Sequence, residues 1–199
     1  QIEPAKGAMR TPEFNAAYMS ALEPGSTFKI LSLAKALDEG VVRSDEDFYC
    51  RGTMTVGKTT IACDREHGSH GLIDPEMAIA RSCNLAAANW ALRVGREDFV
   101  DFMRKVGLFD KPGLGLPRES RGLFNDEEYA KQLQLATVGF GQSMNATPMA
   151  LCAAFASLGN DGKRVYPRLI SKIGDQEQAV RTGEQVLDPE ASHTVLHMM

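Results

Sequence analysis

Apolar residues recur at helical spacing from Phe28 through Leu31, Ala34 and Leu37 until Gly40 closes the run, predicting a buried amphipathic helix. Pro24 and Gly25 break regular structure just before it, and Ser26 is a favoured residue at a helix start. Residues 41–73 lose that period and read as short strands and loops, with Thr-rich runs alternating about Gly57-Lys58 as a hairpin turn. The helical period returns at Asp74-Pro75, in NLAAANWALRV up to Gly95, and in REDFVDFMRKV up to Gly107. FDKPGLGLPRESRG is too rich in Pro and Gly to be anything but loop. A helix is expected from an Asn125 cap through DEEYAKQLQLAT, a turn at GFGQSMN, and a helix from Thr147-Pro148 to Leu158. GNDGKRVYPRLISKI reads as a turn feeding a strand, and RTGEQVLDPEASHTVLHMM as a turn, a short strand and a helix opened by Asp188-Pro189. The pattern predicts one largely helical unit, with a helical lobe at about 74–160 and small strand elements at 47–63 and 164–187.

With 199 residues and 43% hydrophobic content, the chain is long and apolar enough to bury a core. Its net charge of −4 and the lack of a long basic run argue against nucleic acid as a partner. The longest apolar stretches, NLAAANWAL and PMALCAAFASL, fall far short of the ~20 residues of a membrane span. QIEPAKG carries no signal-peptide pattern and reads as an interior cut, which leaves room for an upstream anchor.

The cysteines divide by context. Cys50 and Cys63 flank the candidate hairpin, and its turn would bring them roughly opposite each other. A disulfide there would close a short loop, add about 3 kcal/mol and point to an oxidising compartment; free thiols fit the sequence equally well. Cys83 and Cys152 lie in alanine-rich helical sequence and read as small core residues. Cys50, Cys63, His67 and His70 together suggest zinc, but their spacing departs from the C-x₂₋₄-C and H-x₃₋₅-H pattern, so no metal or cofactor is expected.

Ser26 and Lys29 carry the candidate chemistry. Residues three apart on a helix share a face with Cβ atoms about 5–6 Å apart, so the Lys29 amine reaches the Ser26 hydroxyl. A serine hydroxyl needs a neighbouring base, and a lysine of ordinary pKa near ~10.4 serves as one only when desolvation or a nearby cation lowers it. Ser-x-x-Lys by itself is also what a capped helix with a solvated lysine looks like. Ser82-Cys83-Asn84 supplies the Ser-x-Asn that accompanies Ser-x-x-Lys in penicillin-interacting enzymes. There the Ser82 hydroxyl would relay a proton to a leaving amine and the Asn84 amide would hold the backbone of a peptide substrate.

EPGSTFK, HGLIDPEMAIARSCN, GLGLPRESRG and GFGQSMNATPMAL occur in the order, and at about the spacing, of class B penicillin-binding proteins, the monofunctional D,D-transpeptidases of peptidoglycan synthesis. The chain resembles that family over roughly residues 20–199. The resemblance implies an α/β (α+β) fold of the serine transpeptidase/β-lactamase type, with 1–199 part of a single transpeptidase domain. It implies Ser26 as the acylated nucleophile, Lys29 as its base, Ser82 as the relay and Asn84 as a substrate-binding residue. Cys83 occupies a position that varies in the family. Stem peptides ending in D-Ala-D-Ala, β-lactam antibiotics and a membrane-bound cell-wall synthesis machinery are the implied partners. The implied location is the outer face of the cytoplasmic membrane or the periplasm, with an anchor outside this chain.

The family's third motif, Lys-Thr-Gly or Lys-Ser-Gly, is not found after the last helix. GKTT at 57–60 precedes the second motif and reads as the hairpin turn; Arg181-Thr182-Gly183 precedes the last helix and reads as a surface turn. The expectation is therefore a piece of a longer domain, cut at both ends, without most of the family's sheet and with little activity of its own. Two alternatives stand beside the transpeptidase: a serine β-lactamase, and a non-catalytic module that senses β-lactams or binds other proteins. A class A β-lactamase would need a Glu with an Asn four residues on, and Glu119 is followed there by Leu123.

Overall fold

The computed structural model describes residues 14–63, 68–124, 131–181 and 183–199. In chain order its helices are α1 (Ala16–Met19), a 3-10 turn (Gly25–Phe28) leading directly into α2 (Lys29–Asp38), α3 (Pro75–Ala80), α4 (Asn84–Val94), α5 (Arg96–Lys105), α6 (Gln132–Gly139), α7 (Pro148–Leu158) and α8 (Pro189–His197). The strands are β1 (Phe48–Cys50), β2 (Thr53–Val56), β3 (Thr59–Ala62), β4 (Gly71–Ile73), β5 (Lys172–Ile173) and β6 (Gln176–Glu177). Among the described residues they form three separate antiparallel ribbons, β1 with β4, β2 with β3, and β5 with β6.

Helix α2 is the centre of the molecule. Leu31, Leu33, Ala34 and Ala36 are fully buried, and α4 and α8 pack directly against this helix. Ala86, Ala87, Ala88 and Ala91 give α4 a slim surface on which both α2 and α6 pack. The buried Ser32 hydroxyl of α2 donates to the Gly139 carbonyl at the end of α6 over 2.7 Å. Ser32→Ala leaves that carbonyl without its donor and is expected to cost about 1 kcal/mol in urea unfolding. At its C-terminal end α2 is joined to α8, where the Asp188 N–H donates to the Asp38 carboxylate at 2.6 Å. Lys35 holds Asp38 at 2.9 Å and also pairs with Glu39.

Three helix starts follow the expected chemistry. Asp74, Thr147 and Asp188 each accept a backbone N–H from the first turn, of Met77, Ala150 and Glu190 at 2.7, 3.1 and 2.8 Å, with proline as the next residue. Gly57-Lys58 is the β2–β3 turn, as its sequence predicts.

Other expectations need correction. Ser26 does not cap a helix: it lies inside the 3-10 turn, which has Pro24 at its N-cap and no side-chain cap bond. The strand expected within 164–187 reduces to the two-residue β5–β6 ribbon and a single bridge between Lys163 and Gln185. The Asn125 cap lies outside the described residues, and α6 begins at Gln132. Of the two states the sequence left open for Cys50 and Cys63, free thiols are found, as for all four cysteines. Thr53 pairs with Ala62, so the hairpin ends before Cys50, which instead faces Gly71 in the other ribbon.

Candidate active site

The segment before Ser26 is held by the chain around 141–146. Leu22 and Ala146 exchange both backbone hydrogen bonds at 3.0 Å, the Gly25 N–H donates to the Gly141 carbonyl at 2.9 Å, and the Glu23 carboxylate accepts the Ser143 N–H at 2.8 Å. Gly25 takes a left-handed φ of +59° and turns the chain into the 3-10 helix. Phe28, fully buried and edge-on to Phe99 with ring centroids 6.2 Å apart, pins the far end of that turn. Ser26 is consequently exposed at a rigid corner, whereas Lys29, one turn on, is only 2% exposed.

The Lys29 amine joins the two serines. Its Nζ donates to Ser26 Oγ at 3.2 Å, to Ser82 Oγ at 2.8 Å and to the Ser82 carbonyl. Ser82 reaches it because the α3–α4 connection is unusually tight. Its N–H donates to the Ile79 carbonyl and that of Cys83 to Ala78, and Ser82 adopts a left-handed φ of +51°. Such a conformation is uncommon for a residue other than glycine and tends to occur at functional turns. Cys83 then caps α4, its Sγ accepting the Ala86 N–H at 3.4 Å. Burial pushes the Cys83 thiol well above the ordinary range, so it does not compete as a nucleophile.

Of the four residues singled out from the sequence, Ser26, Lys29 and Ser82 form one hydrogen-bonded cluster. Asn84 opens α4 two residues beyond Ser82, and its Nδ2 donates to the Cys63 carbonyl, tying α4 to the end of the β2–β3 ribbon. Sequence reasoning assigned Asn84 to substrate alone and missed this brace. It also treated GFGQ only as a turn, whereas Gly141 seats Gly25, the residue before Ser26.

Arg181 of the candidate third motif is separate from this cluster. Arg181 stacks over Tyr166, 3.6 Å from the ring centroid, and both line a cleft of about 490 Å³ that holds none of the four residues. Thr182 of the same tripeptide and His67 of the candidate zinc set lie outside the described residues. Glu119 accepts the N–H groups of Gly113, Leu114 and Leu116 at 2.6, 3.2 and 2.9 Å. Desolvation opposes its ionisation, but these backbone donors outweigh it and hold the carboxyl below its usual range. It organises the GLGLPRES loop and is committed there, unlike the water-activating Glu of a class A β-lactamase.

The model for the penicillin-binding protein transpeptidase domain matches residues 3–199. The chain belongs to that family. Among curated relatives, this transpeptidase domain is 31% identical over 191 residues to the penicillin-binding protein PbpB of Mycolicibacterium smegmatis, covering 92% of this chain and 29% of that protein. It is 30% identical over 196 residues to the probable peptidoglycan D,D-transpeptidase FtsI of Caulobacter vibrioides, covering 98% and 32%. Penicillin-binding protein 3 of Mycobacterium tuberculosis, solved with aztreonam and separately with ampicillin, superposes with a TM-score of 0.84 at 29% identity, covering 92% of this chain and 42% of that one. The domain thus has the α+β fold of its family and spans about a third of the length of these curated relatives. No described helix is long and apolar enough to cross a membrane.

Proposed function

We propose that the protein is a peptidoglycan D,D-transpeptidase that works through an acyl-enzyme on Ser26. The supporting observation is the Lys29 amine held against both serine hydroxyls, at 3.2 Å from Ser26 and 2.8 Å from Ser82. A neutral Lys29 can keep its hydrogens on Ser82 and turn its lone pair to the Ser26 hydroxyl. Ser26 Oγ then attacks the carbonyl carbon between the two D-alanines of a stem peptide while its proton passes to Nζ. The first N–H groups of the 3-10 turn lack intrahelical acceptors, so the Ser26 N–H would receive the developing oxyanion. When the peptide C–N bond breaks, the proton moves from Lys29 through the Ser82 hydroxyl to the departing D-alanine amine. An amine of a second stem peptide attacks the resulting ester, forms the cross-link and returns the proton to Ser26. Asn84, braced against Cys63, presents the second motif to the peptide backbone.

β-Lactams would acylate the same serine, in keeping with the aztreonam and ampicillin complexes of the M. tuberculosis relative. We place the reaction outside the cytoplasmic membrane, where stem peptides are cross-linked. The test is intact-mass analysis of the full protein with a penicillin. One adduct mapped to Ser26, absent from Ser26→Ala, is the expected result; an unlabelled folded protein would overturn the reading. Addition of a stem-peptide donor and an amine acceptor separates a transpeptidase, which yields cross-linked product, from a sensor that only stays acylated.

A further inference from the structure

A second cluster lies directly behind the Ser82–Asn84 turn. The Sγ atoms of Cys50, Cys63 and Cys83 and a ring nitrogen of His70 all lie within 4.8 Å of one another. Cys63 Sγ is 3.3 Å from His70 Nδ1 and 3.4 Å from Cys83 Sγ. Four separate stretches of chain supply them: the end of β1, the residue after β3, the residue before β4, and the cap of α4. The three cysteines are buried and His70 is half-buried.

Apolar packing accounts for one or two buried thiols. It does not account for three converging on an imidazole nitrogen. A sulfur contact of 3.4 Å is much longer than the ~2.05 Å of a disulfide. A tetrahedral ion with bonds of about 2.3 Å to sulfur and 2.0–2.1 Å to nitrogen needs donors roughly 3.5–3.8 Å apart, and the separations here run from 3.3 Å to within 4.8 Å, a spread that small side-chain shifts bring onto one ion. Three soft sulfurs and one imidazole match the Cys₃His set of closed zinc sites. The surroundings suit the charge. Cys83 Sγ already accepts the Ala86 N–H at the start of α4.

We propose that Cys50, Cys63, His70 and Cys83 bind one zinc ion. Binding Zn²⁺ releases the three thiol protons, leaves a site of net charge −1, and involves no change of oxidation state; the metal itself is what deprotonates the buried thiols. All four positions are filled by protein, so the site is structural. Zinc would fasten the β1–β4 and β2–β3 ribbons to the N-terminus of α4. Its ligand Cys83 sits between Ser82, whose left-handed backbone carries the hydroxyl to Lys29, and Asn84, whose amide grips Cys63. The metal would therefore act as a positioning element for the second motif.

The test is the zinc content of the full protein purified without chelator, together with the visible spectrum of its cobalt-substituted form. One zinc per chain is expected, and cobalt should show the intense red-region bands of a tetrahedral thiolate site. Both should be lost from Cys63→Ser and Cys83→Ser and kept by Cys152→Ser, whose cysteine is exposed on α7. Removing zinc should lower the Tm and slow β-lactam acylation, and adding zinc back should restore both. A folded wild-type protein with no zinc after zinc supplementation overturns the proposal, whether its thiols titrate as free or its mass shows the two-hydrogen loss of a disulfide. Because metal content is read on the wild type without any assay of activity, the result stands if the serine variants fail to fold or the transpeptidase reading is wrong.

Discussion

Lys29→Ala should slow acylation of Ser26 by a β-lactam about 10³-fold, within the ~10²–10⁴ that a positioned general base supplies. Lys29→Arg should not rescue the rate, because a guanidinium stays charged and has no lone pair to offer. The variant should still fold. Truncation removes the donor to the Ser82 hydroxyl and carbonyl, costing about 1–3 kcal/mol against the 5–15 kcal/mol typical of a domain. Time-resolved intact mass gives the acylation rate and thermal melting the stability. A wild-type rate in Lys29→Ala would remove Lys29 as the base, however well its amine is placed.

Gly141→Ala should be the most damaging small substitution near the site. A Cβ at Gly141 would lie 2.0 Å from the Gly25 carbonyl oxygen, and its φ of +79° is one that alanine adopts only under strain. Left-handed strain of about 1–2 kcal/mol and displacement of packed backbone at about 1–3 kcal/mol together suggest a loss of roughly 3 kcal/mol. Acylation should fall further than stability does, because Gly25 adjoins Ser26 and its N–H is the bond to Gly141. Gly40→Ala is the control: φ there is +63°, but nothing lies within 4 Å of the added Cβ. It should show the backbone strain alone and acylate at the normal rate. Equal acylation by the two variants would show that the Gly25–Gly141 contact does not position Ser26.

Much of the fold was readable because its signals are local. An Asp or Thr before proline starts α3, α7 and α8 through bonds to an N–H two or three residues away, so a few residues contain the whole cause. Ser26 and Lys29 were legible for the same reason, since a helical turn brings positions three apart together whatever the rest of the chain does. Even so, Ser26 is in a 3-10 turn and not at a cap, because the Gly25–Gly141 bond governs how α2 begins.

Patterns that depend on two remote segments were misread or unseen. The sequence left a Cys50–Cys63 disulfide and free thiols equally open; the structure has free thiols, with Cys50 in a ribbon closed by Gly71 and Cys63 Sγ beside His70 and Cys83. A zinc search keyed to short spacings could not find donors contributed by four separate stretches, and Cys83 looked like one more small residue in an alanine-rich helix. The sequence by itself determined where α3, α7 and α8 start and that a lysine stands one turn from a candidate nucleophile, because those relations are set by bonds within a few residues. Only the tertiary structure decided that Ser82, 53 residues away, shares that lysine, that Gly141 seats Gly25, and that three cysteines and a histidine converge behind Ser82. Each of those depends on how α2, α4 and the ribbons pack, a balance of many weak contacts that no short stretch of the chain contains.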